Sequence, residues 1–475
     1  MDKNQFIEDL MGLVAIESVA LIDIDEAHPY GKAPAQALEY MMNLCQKMGI
    51  RTVNRDGKIA WAEIGEGDEI VGILGHLDVV PLGDGWTHNP HGEICGDRMY
   101  GRGVADDKGP TMAALHAMKD LQDSGVKLNR RVRLIMGQCE EVGNWEDMQY
   151  YCAHEEMPVF GFTPDAEFPA IYGEKGILRY ELTMPLTESG LELGEGGDAG
   201  NMVPGWARAT VGGKQYSAEG TIAHASTPEK GVNAISKLME ALAAEGHDGK
   251  FIRFYNEHVG YDYNGGKMGC GFIDEASGEL TLNAGTLRTE DGLLKLGLDI
   301  RCPVTFTRED VEKAITASCK PYGISFTCTE DMKSVYMDKN GKVIQTMIGV
   351  YRDITGDNSE PLVIGGGTYA RAMPGIVAFG PMQPGRECTE HQKDVYLLLE
   401  DLFQAQEIYR VTIEKLANLD YAKDNKKSPV SKMETGDFCV KFRAGRSLRG
   451  QGIRRVLRFL PEVRTPLRVQ GTDRA

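Results

Sequence analysis

Between Ile70 and Leu74 the chain is almost wholly apolar, and it then changes abruptly to Gly75-His76-Leu77-Asp78. A short apolar run of this kind reads as a buried strand. A strand that ends in a histidine or a carboxylate delivers that side chain to the rim of a sheet, where open α/β sheets bind their ligands. The pattern recurs twice downstream. A turn-rich segment reaching Val104 leads into Ala105-Asp106-Asp107-Lys108-Gly109, and Val132 to Met136 leads into Gly137-Gln138-Cys139-Glu140-Glu141. Three runs that end in imidazole or carboxylate predict an α/β sheet with a metal-dependent hydrolytic site on its rim.

The 475 residues exceed what one ordinary core organises, so two domains and a tail are expected. A hydrophobic share of 42% with 26% charged residues is that of a soluble globular chain. The formal charge of −18 argues against non-specific nucleic-acid binding. No apolar run is long enough to span a bilayer, and Met1-Asp2-Lys3-Asn4-Gln5 lacks the basic-then-apolar order of a signal peptide. The 10 cysteines are scattered without a C-x-x-C pair, which indicates neither a disulfide framework nor a zinc knuckle. A cytoplasmic location is the expectation. Residues 421–475 hold 14 Lys and Arg against 5 Asp and Glu, while the rest of the chain carries a net −27, so a boundary is expected near residue 420.

Along the chain, Phe6, Leu10, Leu13 and Val14 repeat at helical spacing, and a second helix is expected from Pro34 to a stop at Gly49. Its stripe of Leu38, Met41, Met42, Cys45 and Met48 reads as core packing rather than a cofactor box. A helix from Thr111 to Leu121, a strand from Val132 to Met136 and a strand from Phe160 to Thr163 continue an alternation that predicts a largely parallel sheet. From Ile177 the texture changes to alternating strands at Tyr180–Met184, Ala207–Val211, Leu280–Leu282 and Leu296–Ile300, with a helix between Gly231 and Gly246. The α/β pattern returns after Met337 and closes on an amphipathic helix over Val395–Leu416. The expected organisation is a catalytic domain split into residues 1–176 and 337–420, an α+β insertion over 177–336, and a basic tail over 421–475.

His76 and Asp78, two apart, share one side of an extended backbone, so the carboxylate can accept from one imidazole nitrogen while the other binds a metal. Alone, the same residues are an ordinary strand-end turn. Gly101-Arg102-Gly103 lacks the third glycine of a dinucleotide loop. Asp106-Asp107 before a helix is either a favourably charged N-cap or a bridge between two metals. Glu140-Glu141 is either a solvated acidic pair or a division of labour between a metal ligand and a general base. His224 sits in a Ser/Thr/Pro turn before a helix, a setting open to substrate contact, and His391 is equally weak alone. Gly365-Gly366-Gly367-Thr368 is a plain turn or a set of amides for an anion.

Together the segments GHLDVVPLGDGW (75–86), YGRGVADDKGP (100–110), GQCEEVG (137–143), FTPDAEFP (162–169), NMVPG (201–205), HASTPEKGVNA (224–234), DIRCP (299–303), GGGTYAR (365–371) and FGPMQPGRECTEH (379–391) resemble the metal-dependent M20 peptidases. The likeness is greatest to their PepV/Sapep-type dipeptidase branch and runs in order over residues 1–418. It implies a zinc-peptidase-like α/β catalytic domain with an inserted lid. It also implies two divalent ions, zinc or else manganese or cobalt, bridged by Asp106. His76 and Asp165 would complete one site, and Glu141 and His391 the other. Asp78 would orient His76, and Glu140 would act as general base and then acid. A cis peptide is implied after Asp106. His224 would stabilise the oxyanion, while Arg301 and the amides of Gly366, Gly367 and Thr368 would hold the substrate's carboxylate. Asn201 would line the lid side.

The resemblance thus implies hydrolysis of dipeptides or very short peptides. An N-acyl-amino-acid deacylase of the acetylornithine or succinyl-diaminopimelate type is the alternative, and a silent binding protein a further one. The partner expected is a small peptide, with neither nucleic acid nor membrane, and monomer and homodimer stay open. Asp198-Ala199-Gly200 and Gln138-Cys139 depart from the commoner family residues. The tail, with Arg443, Arg446, Arg449, Arg454, Arg455 and Arg458, matches nothing in the family and reads as a disordered extension or coding artefact, with an anion-binding arm as the alternative.

Overall fold

The structure is a computed structural model that describes residues 2–143 and 145–421. The basic tail lies outside the described residues. A nine-stranded mixed sheet runs in the order Arg51–Arg55, Ile59–Ile64, Arg131–Gly137, Ile70–His76, Phe160–Thr163, Ile376–Ala378, Ile171–Glu174 and Val335–Tyr336, with Leu362–Ile364 also paired to Ile171–Glu174. The expected parallel character holds at the centre. There the 70–76 strand lies parallel to both 131–137 and 160–163. The helix Lys108–Ser124 supplies the crossover that such a pairing requires.

The margins are mostly antiparallel instead, with 362–364 running parallel to 171–174. On one side Asp56 (φ 56°) and Gly57 (φ 67°) are both left-handed and close a tight hairpin between 51–55 and 59–64, two strands absent from the sequence reading.

The turn-rich segment before Asp106 is not a strand of this sheet. Arg98–Tyr100 pairs with Glu93–Cys95 and Tyr396–Leu398 in a separate small sheet, and the chain then turns through residues 101–107 into the 108–124 helix. Asp106 therefore arrives from a loop. A side chain at Gly109 would collide with the Val104 carbonyl, so the helix starts hard against this turn.

Helices Lys3–Val14 and Lys32–Lys47 bury Phe6, Leu10 and Leu13, and Leu38, Met41 and Cys45, as their spacing requires. Helix Leu399–Ala417 packs along 108–124, and Tyr409 stacks on Phe162 at 5.3 Å between ring centroids. No helix among the described residues is long and apolar enough to cross a membrane.

Residues 176–332 build a second, seven-stranded antiparallel sheet from Gly176–Pro185, Leu193–Gly196, Trp206–Val211, Lys214–Glu219, Thr281–Glu290, Leu293–Cys302 and Ser325–Met332. Helices Ala234–Ala244, Lys250–His258 and Arg308–Cys319 bury Leu238, Met239, Phe254, Tyr255 and Ile315 with this sheet, in a core separate from the first. Two crossings join the sheets. Lys175 alone separates 171–174 from 176–185, and Lys333-Ser334 separates 325–332 from 335–336.

Candidate metal centre

His76 ends the central strand of the first sheet, and the elements beside it converge on its ring. Nε2 lies 2.9 Å from Asp106 Oδ1 and 3.8 Å from Asp165 Oδ2. The other Asp106 oxygen, Oδ2, lies 2.8 Å from His391 Nε2, which is 3.3 Å from Glu141 Oε2. One carboxylate thus faces two imidazoles, one through each oxygen. Ligand atoms of His76, Asp106 and Glu141 all lie within 4.8 Å of one another. His76 is buried, whereas the His391 side chain is 57% exposed, so the cluster opens to solvent on that side. The Asp106–Asp107 peptide is cis.

Asp78 is built in differently from expectation. His76 Nδ1 is 3.0 Å from the Asp78 backbone carbonyl and 3.5 Å from its carboxylate. The carboxylate accepts from the backbone N–H groups of Glu140 and Glu141, each at 3.1 Å. Asp147 holds the preceding turn, accepting from the N–H groups of Gln138 (2.6 Å) and Cys139 (3.1 Å) and from the Tyr369 hydroxyl (2.6 Å). Two carboxylates therefore anchor the loop that carries Glu140 and Glu141. Asp147 was not singled out in the sequence, because its partners lie on a bend that no periodicity marks.

The electrostatics are those of a crowded acidic cavity. Burial, reinforced by Asp106 and other carboxylates, raises the carboxyl groups of Glu140, Glu141 and Asp165. Desolvation acts on the half-buried Asp106 too, but hydrogen bonds from His391 and His76 hold it below the usual range. The His391 imidazole is lifted to about 10 by its bonds to Asp106 and Glu141. Imidazole and carboxylate donors match a borderline or hard divalent ion. Carboxylates that destabilise one another's charge are those such an ion would relieve, so the residues fit one.

The remaining candidates lie on the second sheet and the glycine loop. His224 Nδ1 accepts from the Ser226 N–H (3.2 Å) and sits 2.7 Å from its hydroxyl, which leaves Nε2 as the protonated, donating nitrogen of the neutral ring. Partial desolvation by its neighbours, and then the charge of Arg301, lower the pKa of the exposed His224 ring. Asn201 lies in the adjacent segment, its carbonyl accepting from Ala225 N–H. Arg301 is buried and uses three of its five N–H groups on Asp299 and the Gly365 carbonyl, leaving one on each terminal nitrogen. Thr368 differs from expectation. Its N–H (3.3 Å) and hydroxyl (2.7 Å) both donate to Glu174, so Gly366 and Gly367 are the loop amides left for a ligand.

The profile of Peptidase family M20/M25/M40 matches residues 72–415. A Staphylococcus haemolyticus protein named "Putative dipeptidase SH1171" is 36% identical over 459 residues, covering 87% of this chain and 97% of its own. The chain belongs to this family. It is a metallopeptidase by membership and so a hydrolase. "Putative dipeptidase YtjP" of Bacillus subtilis is 35% identical over 467 residues, or 87% of this chain and 98% of its own. Among solved structures, the M20 metallo-carboxypeptidase Sso-CP2 of Sulfolobus solfataricus superimposes with a TM-score of 0.57 at 18% identity, covering 88% of this chain and all of that one (100%). Human carnosine dipeptidase 1 does so with a TM-score of 0.55 at 16% identity, over 88% and 97% of the two chains. These two establish the M20 fold for this peptidase.

Proposed function

We propose that this M20 peptidase is a dinuclear metal-dependent dipeptidase acting on dipeptides or very short peptides. The observation that carries the reading is the Asp106 carboxylate set between His76 and His391, one oxygen to each. His76, Asp165 and Asp106 would hold one divalent ion, and Asp106, Glu141 and His391 the other, with zinc first and manganese or cobalt as alternatives. When bound, such ions polarise a carbonyl and lower the pKa of water. The metal character and peptide substrate draw support from the names of the relatives, and from the Bacillus subtilis YxeP structure, described as a dinuclear metal-binding M20 peptidase (TM-score 0.52).

The chain's own residues divide the remaining work. Glu140, a partly buried carboxylate beside Glu141, takes a proton from the attacking water and returns it to the leaving amine. His224 donates from Nε2 to the developing oxyanion. The free N–H groups of Arg301, with the amides of Gly366 and Gly367, take the peptide's terminal carboxylate, and Asn201 borders the same space. Residues 177–336 serve as a lid over the 1–176 and 337–420 catalytic portions. The described cysteines are all free, which supports a reducing, cytoplasmic setting.

The test is hydrolysis of a panel of dipeptides and N-acyl-amino acids by metal-stripped, zinc-reloaded and manganese-reloaded protein. Metal-restored dipeptide cleavage, lowered by about 10²–10⁴-fold in Glu140→Ala at full metal content, is expected. Cleavage of N-acyl-amino acids alone would reassign the enzyme as a deacylase. Full metal loading without turnover would make it a binding protein.

A further inference from the structure

The chain passes between its two sheets through Lys175 and through Lys333-Ser334, and both passages end on one side chain. Arg371 donates from Nη1 to the Lys333 carbonyl and from Nη2 to the Lys175 carbonyl, each at 2.7 Å. The same Nη2 donates to the Gly366 carbonyl at 2.6 Å. Its Nε forms an ion pair with Glu174 Oε2 at 2.8 Å, and the two side chains are 3% and 0% exposed. Glu174 is the residue that accepts from both the N–H and the hydroxyl of Thr368. One buried ion pair therefore ties together two crossings and the Gly366 and Thr368 positions of the glycine loop.

A guanidinium suits this role because its N–H groups are fixed in a planar fork. Lysine keeps the charge beside Glu174 but cannot address three carbonyls in set directions. The opposite side of the same loop meets the second sheet. Arg301 donates to the Gly365 carbonyl at 2.9 Å, and a side chain at Gly365 would press on Ser226, two residues from His224. The loop is thus held by Arg371 and Glu174 on one side and touched by the inserted segment on the other.

We infer that Arg371 is a positioning residue that fixes the Gly365–Thr368 loop relative to both crossings, so that carboxylate capture by the loop and approach of the inserted segment are coupled. The kinetic side of this inference rests on the dipeptidase reading, since the carboxylate is that of the peptide. Arg371 itself touches no substrate. Its effect is exerted through Gly366, through Thr368 by way of Glu174, and through the two linker carbonyls.

The test compares metal-loaded wild type with Arg371→Lys and Arg371→Met, by steady-state kinetics on a dipeptide and its C-terminal amide and by hydrogen-exchange mass spectrometry. Arg371→Lys is expected to raise KM for the free acid about tenfold, to change kcat less than about twofold, and to leave the amide unaffected. Exchange should rise together in peptides spanning 174–176, 332–335 and 365–369 and stay unchanged around His76 and Glu140. Arg371→Met should exceed Arg371→Lys on both readouts. If Arg371→Met does not fold, Arg371→Lys alone decides. A fall in kcat at constant KM, an equal effect on the amide, or a rise in exchange that is uniform or confined to 369–372 would overturn the inference. Should wild type cleave no dipeptide, the functional reading fails, and the exchange pattern still judges the clasp.

Discussion

Asp78 holds Glu140 and Glu141 through their backbone, because its oxygens accept from the two N–H groups separately. In Asp78→Asn one of these N–H groups must face an amide NH₂ instead. Activity or metal affinity should then fall about 10–100-fold, the range for groups that orient metal ligands, while helix content is unchanged by circular dichroism. Retained activity would show that the amide anchors are dispensable.

His224 carries a sign that can be read from pH. Its pKa is lowered by partial desolvation and by Arg301, so the neutral, Nε2-donating ring persists at and above the ordinary imidazole value of about 6.5 and gives way only below it. The ratio of wild-type to His224→Gln kcat should therefore be flat above about pH 6.5 and shrink as pH falls through the depressed pKa. A ratio that grows on acidification would mean that the protonated ring is the working form.

At the scale of elements, the 108–124 helix has two ends of different consequence. Near its start, a side chain at Gly75 would run into the Thr111 hydroxyl, which donates to Asp107 at 2.9 Å. At its end Gly125 is left-handed (φ 65°), and a side-chain carbon added there would meet nothing within 4 Å. Gly125→Ala should cost about 1 kcal/mol through backbone conformation alone, with metal content intact. Gly75→Ala should cost about 1–3 kcal/mol and also lower metal content, because relief of the clash moves the helix that follows Asp106. Denaturant melts with metal analysis on both variants separate the two cases.

The same elements show what the sequence makes legible. His76, Glu140 and Glu141 stand where apolar runs stop, and such breaks are visible in one dimension. The antiparallel margins were less visible, because a short strand next to a helix gives no period of its own. The Glu174–Arg371 pair was invisible for a further reason. Its partners Lys175, Lys333, Gly366 and Thr368 are scattered along the chain, and nothing in the local pattern of GGGTYAR says that its arginine turns inward.

For the whole molecule, the crowding of carboxylates around Asp106 couples metal binding to folding. An ion that binds the folded form at a concentration of 100 times its Kd adds about 2.7 kcal/mol of stability. Thermal melts should therefore rise on adding zinc or manganese and fall with chelator. Asp106→Asn, which removes the charge shared by His76 and His391, should largely abolish the response. A chelator-insensitive melt in the wild type would argue that no ion occupies the cluster.

The crossings have a consequence for chain connectivity. Because the Lys175 and Lys333 carbonyls both reach one guanidinium, the inserted segment leaves and re-enters the first sheet at nearly the same point. Lengthening a segment between two fixed ends costs only about 0.6 kcal/mol of closure entropy for each doubling of its length. Lengthening a surface turn of the insert, such as that at Gly212-Gly213, should therefore leave the register of the first sheet and the position of His76 and Asp106 undisturbed.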